Sequence, residues 1–266
     1  MIAKIFCHLL KMLPLKSKHR EQKQSKNSQL SLVEAIPEVV ILSDLDDTIK
    51  MTNVRKPYSA LSNHLWHGIR PFSRLIDIYK DIKRHYEKAG KQVSFYYVSA
   101  APPLIDQGHW LKHHGAPLGE IIQRSYLEYL KSTEEYKFKK IKKLLLAKVK
   151  QATQQNRSLI LYLFGDNGEY DPQIYHKIAA DPDLSSVKKH IFIRMVTAEN
   201  QKLPNLTYFT SEFDLINKAP SISRITSLSV KEKIANEYHL GKLIPEYVLQ
   251  TLDEEEESPP KSSYSA

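Results

Sequence analysis

Asp44 and Asp46, two carboxylates separated by one residue, are the first groups in this 266-residue chain that could do chemistry together. They sit in Ser43-Asp44-Leu45-Asp46-Asp47-Thr48, directly after Val39-Val40-Ile41-Leu42, a run apolar at every position as a buried parallel strand is. Side chains alternate along a strand, so the pattern predicts Asp44 and Asp46 on one side and Leu45 in the core. Two carboxylates so placed repel each other unless a cation or a shared proton intervenes. One can then serve as nucleophile and the other as general acid, the division of labour that covalent phosphoryl chemistry needs. The competing reading of the same residues is an Asp-rich turn or helix cap.

Three later signals repeat the pairing of an apolar run with a polar group. Ser99 closes the run 93–98, where it can bind a phosphate oxygen or cap the next helix. On a helical wheel Lys137 falls in the apolar stripe of Phe138, Ile141, Leu144, Leu145 and Val149, while Lys139, Lys140, Lys142 and Lys143 lie on the polar side. A lysine on a core-facing stripe is costly unless an anion awaits it or it snorkels to water. Gly165-Asp166-Asn167-Gly168-Glu169-Tyr170-Asp171-Pro172 follows the run 159–164, and Asp166 supplies a carboxylate to face Asp44. Hard oxygen donors without an imidazole cluster or thiol argue for Mg²⁺. An acidic turn capping a helix at Pro172 is the alternative.

The elements that must position these groups alternate. Apolar runs at 39–42, 93–98, 159–164 and 191–196 read as buried strands, and 72–88, 104–114, 134–150 and 172–180 read as helices. This predicts an α/β fold, a mainly parallel sheet with helices on both faces. The signals then gather at the carboxyl edge of the sheet, where open parallel sheets place their sites. A short apolar run at 206–209 and helical patterns at 212–218 and 228–238 follow. The expected organisation is a basic amphipathic leader and linker (1–33), a catalytic domain (34–219), a helical extension (220–250) and a disordered acidic tail (251–266).

Composition narrows the partners. Hydrophobic residues make up 41% and charged residues 26%, which excludes wholesale disorder. No apolar run approaches the roughly 18 residues of a membrane span, which argues against an integral membrane protein. Cys7 is the only cysteine, so an internal disulfide and a Cys-based zinc site are excluded. The net charge of +9 suits an anionic partner: nucleic acid, anionic lipid or a phosphorylated substrate. Residues 1–30 carry +6 of it and residues 251–266 carry −4, leaving +7 on the body. In residues 1–13, Lys4, His8 and Lys11 share one helical face opposite Ile2, Ile5, Phe6, Leu9 and Leu13. That pattern suits an anionic membrane surface, with an ordinary docking helix as the alternative.

The order of the motifs resembles the haloacid dehalogenase (HAD) superfamily of phosphatases. Ser-Asp-Leu-Asp-Asp-Thr-Ile-Lys (43–50), Phe-Tyr-Tyr-Val-Ser-Ala (95–100) and Gly-Asp-Asn-Gly-Glu-Tyr-Asp-Pro-Gln-Ile-Tyr (165–175) resemble, more closely, the catalytic domain of the actin-patch-type phosphatidate phosphatases. The resemblance implies a HAD-like Rossmannoid sheet with only a small flap or cap, at residues 51–68. It implies that Asp44 attacks phosphorus and that Asp46 protonates the leaving alkoxide and then activates water. Thr48 would orient the loop, and Ser99 and Lys137 would hold phosphate oxygens. Asp44, the backbone carbonyl of Asp46 and Asp166 would bind Mg²⁺, with Asp171 at the metal's waters. The implied substrate is phosphatidate or a related lipid phosphate, handled in the cytoplasm at a membrane periphery, with nucleic acid less favoured. The rival readings are a phosphatase of soluble sugar, nucleotide or nucleic-acid phosphates, and a HAD-like binding module without catalysis.

Three positions depart from the family's habit: Met195 where Asp is common, Asn167 in place of Ser, and Ala101-Pro102-Pro103 in place of Ser-Pro-Trp. The block Asp253 to Glu257 before a polar terminus resembles C-terminal signals of some bacterial type IV secretion substrates, which would make the chain an exported effector. A solubilising tail is the plainer reading.

Overall fold

Seven consecutive residues that leave no side chain exposed form the central strand, β1 (Glu38–Asp44). In the computed structural model, which describes residues 37–52, 70–101, 106–126, 128, 132–198 and 202–244, this strand pairs on both sides. One neighbour is β2 (Val93–Ser99), with Val39 opposite Val93; the other is β4 (Leu159–Asp166), with Val39 opposite Ile160. Outside them lie β3 (Glu120–Gln123) on β2, and β5 (Lys188–Arg194) followed by β6 (Thr207–Phe209) on β4. The order β3-β2-β1-β4-β5-β6 is parallel throughout, so the predicted α/β sheet is the observed one.

The apolar runs are continuous because both faces are covered. Val39 and Ile41 pack with Leu75, Tyr79 and Ile82 of α1 (Ser73–Lys88), and Val40 and Leu42 lie with Ile141 and Leu145 of α3 (Thr133–Gln154) and Ile174 of α4 (Asp171–Ala180). Between β2 and β3 runs α2 (Gln107–His113), started by Asp106, whose carboxylate accepts from the His109 amide at 2.9 Å. After β6 come α5 (Glu212–Lys218), α6 (Pro220–Ile225) and α7 (Leu228–His239). Ile222, Val230 and Ile234 of these last helices join the core that holds Leu75, so the C-terminal helices complete one face of the domain.

Several boundaries differ from expectation, α3 running on to Gln154 and β4 to Asp166. Where the apolar pattern predicts a strand over 191–196, β5 begins at Lys188 and ends at Arg194. Its first half is partly exposed and therefore polar. At its far end the amides of Val196 and Thr197 leave the sheet to donate to Asn167 Oδ1, at 2.7 and 3.1 Å. The helix predicted over 104–114 is seen as Gln107–His113, with residues 102–105 outside the described residues. The leader, the flap residues 53–68 and the acidic tail also lie outside them. No helix among the described residues is long and apolar enough to cross a membrane.

The order reverses at β1, whose following strand lies on one side and whose later partner β4 lies on the other. Open sheets leave a crevice at the carboxyl ends of the strands at such a switch point. Asp44 and Asp166 end the two strands that border it.

Candidate active site

β1 ends at Asp44, which is 2% exposed, and Leu45 turns into the core as predicted. Asp46 lies just past the strand, held by an isolated bridge to Lys50. Its placement therefore depends on a tight turn as well as on strand alternation. Asp47 takes a left-handed φ of 54°, a conformation Asp tolerates because its short side chain bonds locally. Here the Asp47 amide donates to Thr52 Oγ1 at 3.1 Å and the Thr52 amide returns a bond to Asp47 Oδ1 at 2.8 Å.

Thr48 ties this loop to the rest of the sheet edge. Its hydroxyl donates to Asp166 Oδ2 at 3.2 Å, and its carbonyl accepts from Arg194 Nε at 3.0 Å. The Arg194 guanidinium lies between the rings of Phe72 and Phe209, 3.7 and 4.9 Å from their centroids, and donates to Glu212 Oε1 at 2.7 Å.

Lys137 points into the crevice. Its helix, α3, starts at Ser132, whose hydroxyl accepts from the Glu135 amide at 3.2 Å, and Glu134 and Glu135 occupy the favourable first turn. That start turns Lys137 toward the sheet, where its Nζ lies 2.6 Å from Asp44 Oδ1, 2.9 Å from Asp171 Oδ1 and 3.5 Å from Glu169 Oε2. Asp171 reaches the site because residue 165 has no side chain. A Cβ on Gly165 would fall 2.6 Å from Asp171 Oδ2 and 2.8 Å from Tyr175 Cε2. The Asp166 carboxylate is oriented on its other oxygen by the Gly168 amide, which donates to Oδ1 at 2.7 Å.

Among the described residues, Asp44, Asp166 and Asp171 each offer an oxygen, all within 4.8 Å of one another. With Glu169 at the rim, four carboxylates face one ammonium. A metal ion fits this all-oxygen donor set, and one or two carboxylates with substrate oxygens are what Mg²⁺ takes. Without a cation the charges are held at a cost. Burial, ahead of other causes, raises the carboxyls of Asp44 and Asp166 well above the ordinary aspartate range and raises Asp171 as well, with Lys137 opposing at all three. Burial acts to lower the Lys137 pKa, but the carboxylates, Asp171 and Asp44 foremost, reverse this and hold it well above the ordinary lysine value.

A pH dependence follows for metal-free protein. Above about pH 4, the ordinary aspartate pKa, the unfolded chain has released protons that the folded trio still binds, so stability falls as pH rises through the raised values. The raised Lys137 value adds stability that stays constant until above about pH 10. In chelator, the melting temperature is therefore expected to drop between about pH 5 and pH 8, and added Mg²⁺ to restore it more at pH 8 than at pH 5. Differential scanning fluorimetry checks this; a melting temperature indifferent to both pH and Mg²⁺ contradicts it.

Ser99 also reaches the site, but it faces Asp46: its hydroxyl donates to Asp46 Oδ2 at 3.1 Å. A phosphate oxygen would have to compete for that hydrogen. Behind Ser99 stand two residues that carry no assignment from the sequence, Gln107 and Lys50, both 1% exposed. Lys50 Nζ donates to Gln107 Oε1 at 3.0 Å, and Gln107 Nε2 donates to Ser99 Oγ at 3.4 Å. Lys50 was in plain view at the end of the 43–50 motif, while Gln107 carried no local signal. Asn167, one of the departures from family habit, is a structural clamp: its amide nitrogen donates to the carbonyl and hydroxyl of Thr197, both at 2.9 Å.

The seven residues singled out in the sequence, Asp44, Asp46, Thr48, Ser99, Lys137, Asp166 and Asp171, thus share one connected cluster. The family description "Phosphatidate phosphatase APP1, catalytic domain" matches residues 39–195. A solved class C acid phosphatase from Bacillus anthracis with tungstate bound is similar at 16% identity, over 82% of this chain and 85% of that chain, with a TM-score of 0.31. A search of curated proteins finds no match. With more than half of its length matched and the motif residues gathered at one sheet edge, the chain belongs to the phosphatidate phosphatase APP1 catalytic-domain family and is a phosphoric monoester hydrolase.

Proposed function

We propose that this hydrolase is Mg²⁺-dependent, works through an aspartyl-phosphate on Asp44, and takes phosphatidate or a related lipid phosphate as substrate. The observation that carries the reading is the Lys137 ammonium, buried and 2.6 Å from the Asp44 carboxylate beside the acidic trio. An ammonium aimed at the nucleophile, at a strand end beside a cation site, is what a phosphate dianion needs in order to approach a carboxylate. The same aim argues against a binding module without catalysis.

Asp44, Asp166 and Asp171, with the Asp46 carbonyl, would hold Mg²⁺, which when bound supplies positive charge against the phosphate oxygens. The steps belong to the chain's own residues. Asp44 forms a bond to phosphorus as the bond from phosphorus to the ester oxygen breaks, and Asp46 gives its proton to the departing alkoxide. Asp46, now a carboxylate, takes a proton from water as the water oxygen attacks phosphorus. The Asp44–phosphorus bond breaks, inorganic phosphate leaves and Asp44 is regenerated. Lys137 holds the phosphoryl oxygens in line throughout.

The lipid substrate rests on the activity for which the family is named, and the membrane setting on the basic amphipathic pattern of residues 1–13, which suits a cytoplasmic anionic surface. Phosphate release from phosphatidate in mixed micelles, beside sugar, nucleotide and 3′-phosphorylated nucleic-acid substrates, with Mg²⁺ or with chelator, tests the reading. Mg²⁺-dependent release favouring phosphatidate is expected. Release confined to the soluble substrates overturns the lipid assignment, and full release in chelator overturns the metal dependence.

A further inference from the structure

A buried lysine needs a reason, because removing an ammonium from water is costly unless it does something for a neighbour. Lys137 has three carboxylates within 3.5 Å of its Nζ. Lys50, equally buried, gives its hydrogen bond to a neutral amide, Gln107 Oε1, and its Nζ lies 5.5 Å from the centroid of the Trp110 ring. What this contact does is set direction. An ammonium can only donate, so the Gln107 oxygen must face Lys50 and its NH₂ must face Ser99. Ser99 Oγ also accepts from the Ala101 amide at 3.0 Å. With both lone pairs engaged, its single hydrogen is committed to Asp46 Oδ2.

We propose that Lys50 and Gln107 are positioning residues that fix, through Ser99, which oxygen of Asp46 carries the proton delivered to the leaving group. Oδ2 is held as an acceptor, so the transferable proton resides on Oδ1 and moves to the ester oxygen as the bond from phosphorus breaks. The proposal rests on the reading of Asp46 as general acid.

An alkyl ester makes the role visible, because an alkoxide needs a proton to leave and a p-nitrophenolate does not. Lys50→Met removes the donor that sets the direction. Gln107→Glu keeps the shape and the contact with Lys50 but presents an acceptor to Ser99, whose hydrogen then turns away from Asp46. Both variants, checked for a native melting transition, are expected to lower kcat on dioleoyl phosphatidate in mixed micelles by about 10²-fold with KM little changed, and kcat on p-nitrophenyl phosphate by less than about threefold. Lys50→Arg, which still only donates, should regain most of the loss. Equal losses on the two esters, or no loss in Gln107→Glu, overturn the proposal.

Failure of the underlying reading shows separately. Asp46→Asn would then lose no more on phosphatidate than on p-nitrophenyl phosphate. Should the wild-type chain prefer a soluble alkyl phosphate, that ester replaces phosphatidate and the same ratio decides.

Discussion

Replacing Asp44 by asparagine is expected to abolish phosphate release, by on the order of 10⁴-fold or more, which corresponds to about 5.5 kcal/mol of barrier. The amide keeps the size of the carboxylate and still offers Lys137 an oxygen to bond, but it cannot attack phosphorus. The loss would not come from unfolding. Burial already disfavours the ionised form of Asp44, so a neutral isostere relieves the metal-free site of one charge it holds at a cost. In chelator at pH 8 the variant should melt no lower than the wild type. Phosphate assays and thermal melts on the same preparation decide the point. Undiminished release would show that the nucleophile lies elsewhere, and a collapse in melting temperature would show that Asp44 is structural.

Lys137→Met should be damaged in both respects. The substitution keeps an unbranched stem on the apolar stripe of α3 but removes the charge that lies between Asp44 and Asp171. Taking one partner from a buried ion pair costs about 3 to 5 kcal/mol, because the other charge stays behind without compensation. Here the charges left behind are carboxylates, which can escape by binding protons, so the deficit should be largest near pH 8 and shrink toward pH 5. Denaturant unfolding at the two pH values measures it. Activity should fall by about 10²- to 10³-fold even in the fraction that stays folded, since the phosphoryl oxygens lose their fixed cation. A variant as stable as wild type at pH 8 and fully active would remove Lys137 from the mechanism.

What could be read from the sequence depended on how far each signal lay from its partners. β1, β2 and β4 were legible because burial on both faces leaves only apolar residues, as in Val39-Val40-Ile41-Leu42. β3 was not, because a four-residue edge strand with two apolar residues, Glu-Ile-Ile-Gln, has too little pattern to stand out. α6 was missed for a similar reason, being a single short helix opened by Pro220 directly after α5. Asp44, Lys137 and Asp166 could be named because each meets an apolar pattern with a charge, whereas Asp171, in a polar turn, was named only through the family resemblance. Lys50 breaks no pattern: a lysine after a turn reads as a solvated residue until the fold brings Gln107, 57 positions away, over it. The commitment of Ser99 to Asp46 was hidden likewise, since strand-end position gives the location of a hydroxyl and not the direction of its hydrogen.

Arg194 bears on the order in which the site is completed. It reaches back 146 positions to the carbonyl of Thr48, and its own charge is met by Glu212, beyond the last residue of the family match. During synthesis Asp44 emerges before Arg194 and Glu212, and the loop that follows it lacks its brace until β5 has paired and α5 has emerged behind it. A fragment cut at residue 195 would contain every candidate site residue named above but would leave the Arg194 guanidinium without the Phe209 ring and without the counter-charge of Glu212. The smallest self-sufficient phosphatase in this chain is therefore longer than its motifs, and Asp44, made well before Arg194 and Glu212, is held in place only after both have arrived.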